Sequence, residues 1–315
     1  MRMSKKTHRN CILAAVMIVV ALTLALPNAA LAIAPMQEGR STSLTIQLSA
    51  AGQAVPGAWF DLYRVADASE YAEFTLTGDF AAYPVVLEGA TTEDWRKLSA
   101  TLAGYAAADT LTPLKTAATD EEGTIFWDGL NPGLYLTVGR PYAADGKTYT
   151  PEAALVSLPG RDENDQWIYD VTIQPKQTEN ESGLTSLEVL KVWKDGDSGE
   201  RPAEITVLLL CNGRVAEQVA LNRDNNWRYE WTGLDGAKLW QVIERPVPED
   251  YTLDIDYEGT LVTITNTRED SGEPGTPDGN LPQTGLNWQP VWAMAAAGML
   301  LFLVGWIRHR QSREQ

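Results

Sequence analysis

The chain is 315 residues long and acidic, with 42 Asp and Glu against 25 Lys and Arg, a net charge of −17, two histidines and two cysteines. That balance is hostile to nucleic acid and to anionic lipid headgroups, so neither is expected as a partner. Two cysteines cannot build a disulfide framework, and two histidines leave little room for imidazole catalysis or metal binding.

At the N-terminus, Arg2, Lys5, Lys6 and Arg9 precede an uncharged apolar stretch at 11–26, and Ala30-Leu31-Ala32 supplies the small residues of a signal-peptide cleavage site. Residues 1–32 are therefore expected to be removed, with Ala30 and Ala32 at the cut and Ile33 at the mature end. Residues 33–177 read as a first domain. Short β-branched and aromatic runs at 44–48, 59–65, 124–127, 133–138, 154–158 and 167–173 predict strands. An insertion among them carries Trp95, Leu98, Leu102 and Tyr105 at helical spacing, with Thr91 and Asp94 placed as a capping box. One helix packed as core is expected there. The polar stretch at 177–183 predicts the seam between two domains.

The second domain, 184–268, shows runs at 187–193, 205–211, 215–221, 227–231, 239–244 and 261–267, separated by turn signals such as Asn212-Gly213. Such spacing implies an antiparallel sandwich, so the expected class is all-β, two tandem immunoglobulin-like sandwiches, the first with a helical insertion. Cys211, at the end of an apolar run, is expected to be a small buried hydrophobe. The run Asp195-Gly-Asp-Ser-Gly-Glu200 reads as an acidic turn, since it lacks the loop spacing of an EF-hand.

Strand parity singles out three polar residues. Alternation puts Lys191 on one face with Leu187, Val189 and Trp193, Glu244 with Trp240 and Val242, and Asn266 with Val262 and Ile264. Three strands thus each aim one polar side chain at an apolar core, where a lone charged lysine costs several kcal/mol. Two arrangements relieve that cost. One is a buried Lys191–Glu244 ion pair with Asn266 as hydrogen-bond partner. The other is covalent: a neutral Lys191 amine attacks the Asn266 carboxamide while a protonated Glu244 polarises the carbonyl and relays protons as ammonia leaves.

The C-terminal region opens with a Pro, Gly and acidic stretch at 269–280 that cannot build a core. Leu281-Pro282-Gln283-Thr284-Gly285 follows, then a charge-free apolar run at 291–307 and a basic tail at 308–315 with Arg308, Arg310 and Arg313. Seventeen apolar residues stand near the short limit for a spanning helix, and the basic end marks the cytoplasmic side. If both ends are removed, they take seven basic residues and one acidic residue with them, leaving 18 against 41 and a net charge of −23. His8 and His309 leave too. Histidine-dependent nucleophile pairs and metal sites are then excluded, and neither cofactor nor metal is expected.

The order of pentapeptide, apolar helix and basic tail resembles the LPXTG cell-wall sorting signal of Gram-positive surface proteins. That resemblance implies sortase cleavage between Thr284 and Gly285, transfer of the Thr284 acyl group to a peptidoglycan precursor, and only a transient stay in the membrane. The stretch 187–267 resembles a Cna protein B-type domain through Lys191-Val-Trp193, Arg201-Pro202, the Leu221–Trp227 segment, Gly233-Leu234, Glu244 followed by Pro246 and Pro248, Tyr251 and Ile264-Thr-Asn-Thr267. Carried over by position, the crosslinked pair is Lys191 and Asn266, and the assisting acid is Glu244. The first domain resembles the N-terminal domain of SpaA-type pilins. Its segment 167–176 matches the pilin motif at Trp167, Val171, Pro175 and Lys176, while Gln174 departs from it. The resemblance implies that Lys176 receives the Thr acyl group of another pilin subunit. In the first strand of that domain there is no lysine, so no internal crosslink is expected there. The expected function is a sortase-anchored structural surface protein, a basal or minor pilin, with a stand-alone adhesin binding a host or matrix ligand as the alternative. No multiple-turnover enzyme activity is expected.

Overall fold

A computed structural model describes residues 34–144, 147–180, 183–196 and 201–268. The expected signal peptide with Ala30 and Ala32, the linker at 269–280 and the sorting signal with Leu281, Pro282, Gln283, Thr284 and Gly285 lie outside the described residues.

The main elements of the first half are β1 (Thr42–Gln47), β2 (Trp59–Ala68), α1 (Thr92–Ala108), β3 (Thr124–Leu130), β4 (Gly133–Gly139), β5 (Ala154–Leu158) and β6 (Asp170–Ile173). One sheet has the order β6-β1-β3, with β6 parallel to β1 and Ile173 opposite Ile46. The other has the order β5-β4-β2, extended by the short strands Phe74–Leu76 and Lys115–Ala118, which both pair with β2. Alternation sends Leu44, Ile46, Phe60 and Leu62 into a common core with Trp127, Tyr135 and Leu158. All six predicted strand runs are present. The last is split into Trp167–Ile168 and Asp170–Ile173.

The second half contributes β7 (Leu184–Lys194), β8 (Glu204–Cys211), β9 (Arg214–Asn222), β10 (Arg228–Asp235), β11 (Trp240–Glu244), β12 (Thr252–Glu258) and β13 (Leu261–Thr267). Its sheets run β10-β7-β13-β12 and β9-β8-β11. The first and last strands, β7 and β13, are parallel neighbours, with Lys191 opposite Ile264 and Trp193 opposite Asn266. Between the sheets lie Val189, Val207, Leu209, Val242, Leu253 and Ile264.

Four expectations change. First, β12 was not legible as a strand, because Asp254 and Asp256 interrupt it with residues that strands disfavour. Second, the polar stretch expected to be a seam instead begins with the strand Gln177–Asn180, which pairs with Lys147–Pro151. Third, Cys211 is only half-buried, since it ends its strand at the margin of the core. Fourth, Trp227 belongs to a turn rather than a strand. Its φ of 58° lies in the left-handed region, and its carbonyl receives the Lys191 N–H at 2.9 Å.

Helix α1 forms where expected, with Thr91 accepting from the Asp94 N–H and Asp94 accepting from the Thr91 N–H at 2.9 Å. It is more than core of the first sandwich. Residues two apart on a helix face opposite ways, and Ser99 and Thr101 use that geometry. Ser99 Oγ accepts the N–H of Leu155 on β5 at 3.0 Å, while Thr101 Oγ1 accepts the N–H of Ile255 on β12 at 2.8 Å. One helix therefore satisfies edge strands of both sandwiches, and all described residues up to Arg268 belong to one compact unit.

Candidate functional site

Strand parity brings Lys191, Glu244 and Asn266 together at one level of the second core. Lys191 retains 4% exposure, and Glu244 and Asn266 retain none. Lys191 comes from β7, Glu244 from the end of β11 opposite Val207, and Asn266 from β13. Lys191 Nζ stands 3.6 Å from Glu244 Oε2, and Asn266 Nδ2 donates to Glu244 Oε1 at 2.8 Å. The carboxyl thus touches both partners. Lys191 Nζ also donates to the Val192 carbonyl at 3.0 Å and lies 4.2 Å from the centroid of the Trp193 ring.

Burial sets the proton balance. It pulls the Lys191 amine from the ordinary lysine value near 10.5 down to about 8, against the opposing pull of Glu244. Burial also pushes the Glu244 carboxyl up, against Lys191 and the Asn266 hydrogen bond. Both shifts favour neutral forms. Two buried oxygens, Glu244 Oε2 and Asn266 Oδ1, have no hydrogen-bond partner among the described residues. A proton on Glu244 donated to the Asn266 carbonyl oxygen would polarise the carboxamide carbon beside an amine that burial inclines to give up its charge.

The wall behind the lysine was missed at the sequence level. Asp195, expected in an acidic turn, is buried and accepts from Arg201 Nε at 2.8 Å and from the Tyr251 hydroxyl at 2.9 Å. Arg201 and Tyr251 hold its carboxyl down at about 2. Above them, Trp193 meets Trp227 and Tyr251 edge-on at 5.4 and 5.3 Å. The legible signal was the conjunction of an aromatic core-facing residue at 193 with an Arg-Pro pair a few residues on. It pointed to no partner because Tyr251 is distant in sequence.

The pilin-motif residues of the first sandwich are not a chemical cluster. The Trp167 indole N–H donates to the Ala34 carbonyl at 2.7 Å, so this residue fastens the segment that enters β1. Val171 pairs with Leu44 on β1, and Pro175 is half-buried. Lys176 has an exposed side chain at the rim of an open groove of about 750 Å³ between α1 and β5, while its carbonyl accepts the Glu152 N–H at 2.8 Å. Gln174, which departs from the motif, donates to Gln47 at 3.4 Å on the surface.

The second half is thus an immunoglobulin-like sandwich with parallel first and last strands and a buried lysine, acid and amide between its sheets. Residues 187–267 match the family model of the Cna protein B-type domain, and this sandwich is a domain of that family. A collagen adhesin of Staphylococcus aureus is 35% identical over 91 residues, which make up 28% of this chain and 8% of the adhesin. Among solved structures, a single B repeat unit of the collagen binding surface protein of S. aureus has 20% identity and a TM-score of 0.26, over 72% of this chain and 97% of that one. The shaft pilin SpaA from Lactobacillus rhamnosus GG has 13% identity and a TM-score of 0.27, over 73% and 98%. A streptococcal ancillary pilin has 16% identity and a TM-score of 0.24, over 74% and 64%. Structural likeness at this level carries no further weight.

Proposed function

We propose that this chain is a structural protein of the Gram-positive cell surface, anchored by sortase through Thr284 and serving as a basal or minor pilin. Its second domain would be closed by an intramolecular bond between Lys191 and Asn266. The observation that supports this reading is the meeting of those two residues with Glu244 in a buried core, at 3.6 Å and 2.8 Å from the acid. In the reaction, Lys191 Nζ attacks Asn266 Cγ, the Nζ–Cγ bond forms and the Cγ–Nδ2 bond breaks. One amine proton passes by way of Glu244 to the departing nitrogen, which leaves as ammonia, and the carboxyl is regenerated. Each molecule reacts once. No cofactor, metal or oxidant enters the balance.

The intact mass of the purified protein tests this. A crosslinked chain is lighter than its sequence mass by about 17 Da, one ammonia; an unchanged mass leaves the buried ion pair as the better account. A stand-alone wall-anchored adhesin, with the Cna B-type domain as a stalk, is a second reading favoured by the likeness to the collagen adhesin. Immunoblots of wall extracts separate the two, since a pilin gives a ladder of covalent species and an adhesin a single band.

A further inference from the structure

The insertion of the first sandwich grips β11, which carries the acid, and β12, the strand paired with the one that carries the amide. Glu244 ends β11, and the next residue, Arg245, is ion-paired with Asp109 at the C-terminal end of α1. The Arg245 guanidinium lies 5.1 Å from the centroid of the Tyr105 ring. Tyr105 is fully buried in the apolar cluster of the second sandwich and stacks on Tyr83 at 4.1 Å. Asn266 sits on β13, and its register partner on β12 is Leu253, whose N–H donates to the Pro84 carbonyl at 2.9 Å. Along the same edge, Thr101 accepts from Ile255, and Arg96 pairs with Asp256 at 2.6 Å. Gly104 packs so closely that a Cβ there would come within 3.3 Å of Ile243 Cδ1.

These contacts share a location. β11 and β12 are edge strands of different sheets, and the insertion covers the flank between them. Without it, the pairing of β11 with β8 and of β12 with β13 would persist, while the flank beside the Glu244–Asn266 contact would open to solvent. Water there would favour the charged amine and carboxylate over the reactive neutral pair.

We propose that docking of the insertion, residues 83–109, sets Glu244 against Asn266 and keeps water from them, so that the Lys191–Asn266 bond forms only after the first sandwich has folded onto the second. This inference rests on the crosslinking reading above. It makes Tyr105 and Asp109 positioning residues for a reaction in the neighbouring domain. The bond becomes a seal applied to the folded pair of domains rather than to one of them.

The test follows the full chain after cell-free synthesis and measures by mass spectrometry the fraction that has lost ammonia against time. Gly104→Leu wedges α1 away from Ile243, and Asp109→Asn removes the Arg245 anchor without changing volume; neither touches the three reacting residues. Both should react at least about tenfold more slowly, since small misplacements of reacting groups are costly. Tyr105→Ala should be slow as well, while Tyr105→Phe should restore the rate, because the ring does the packing and its hydroxyl has no partner among the described residues. Each substitution is also made with Lys191→Ala, where near-ultraviolet circular dichroism reports folding without the reaction. A variant that is folded there yet slow to react is the expected result. If Gly104→Leu does not fold, the Asp109→Asn rate decides alone. Wild-type rates in the folded variants would overturn the proposal, whereas a wild-type chain that never loses ammonia would instead overturn the crosslinking reading itself.

Discussion

Lys191 and Glu244 face each other across the second sandwich with 3.6 Å between Nζ and Oε2, and neither side chain touches solvent. A charged pair in that position is costly to bury, and burial drives both groups toward neutrality. Converting the amine to an amide removes the cost permanently, and that gives the first predictions their direction.

Lys191→Ala, Asn266→Ala and Glu244→Ala should each restore the full sequence mass in the purified protein. The proposed bond would close a loop of 76 residues from Lys191 to Asn266. By analogy with disulfide loop closure its loss should lower stability by about 4 kcal/mol. Denaturant midpoints and slopes together would measure this, the slope rising as the unlinked chain exposes more surface on unfolding. Glu244→Ala should fall furthest, since it also leaves the buried amine without its acid.

The unlinked Asn266→Ala variant should show a pH dependence that the linked protein lacks. Burial holds an unlinked Lys191 down at about 8 in the folded chain against the ordinary 10.5 when unfolded, so between those values the unfolded chain holds more protons. Stability therefore rises with pH in that window. The difference in melting temperature between wild type and Asn266→Ala should shrink from pH 8 to about pH 10.5, with tyrosine ionisation cancelling between them. A constant difference would show that the lysine is not desolvated.

Asp195 has the opposite sign. Arg201 and Tyr251 hold its carboxyl at about 2 when folded, below the ordinary value of 3.8, so its contribution is complete above pH 4 and is lost as pH falls toward 2. Asp195→Asn should flatten the acid limb of the stability profile while lowering the plateau at neutral pH. Thermal melts from pH 2 to pH 7 check both features.

Lys176→Arg keeps the charge but removes an acylatable amine. Covalent species of high mass should disappear from wall extracts while folding and anchoring persist. Lys97, Lys147 and Lys238 are ion-paired with Glu93, Glu179 and Asp235 and are weaker candidates for the linkage. A surviving ladder in the variant would assign the linkage to another lysine.

Thr284→Ala, or deletion of 281–285, should leave the protein in membrane or medium. Extraction of washed walls with hot detergent is the measurement, and a variant that still resists extraction argues against sorting through this pentapeptide.

Much of the second sandwich was legible because alternation at Leu187, Val189 and Lys191 fixes which face is buried, and one register serves a whole strand. The same rule exposed Glu244 and Asn266. What stayed hidden depends on contacts between distant segments. Thr101 and Gly104 carry no apolar signal, yet one accepts a strand N–H and the other permits close approach to Ile243. Periodicity found the stripe from Trp95 to Tyr105 and assigned it to a single core, although Tyr105 belongs to the neighbouring one. Asp254 and Asp256 concealed β12 because strands disfavour carboxylates, and the partner of Asp256, Arg96, stands 160 positions earlier.

The parallel pairing of β7 and β13 has a mechanical consequence. The chain enters the second sandwich at one end of β7 and leaves it at the opposite end of β13, so tension applied through the two termini slides these strands past each other. Their hydrogen bonds are then loaded together in shear instead of being peeled apart one at a time. A bond from Lys191 to Asn266 would join those two strands directly. The pull would pass from one strand to the other through a single amide, and the residues between them would remain slack.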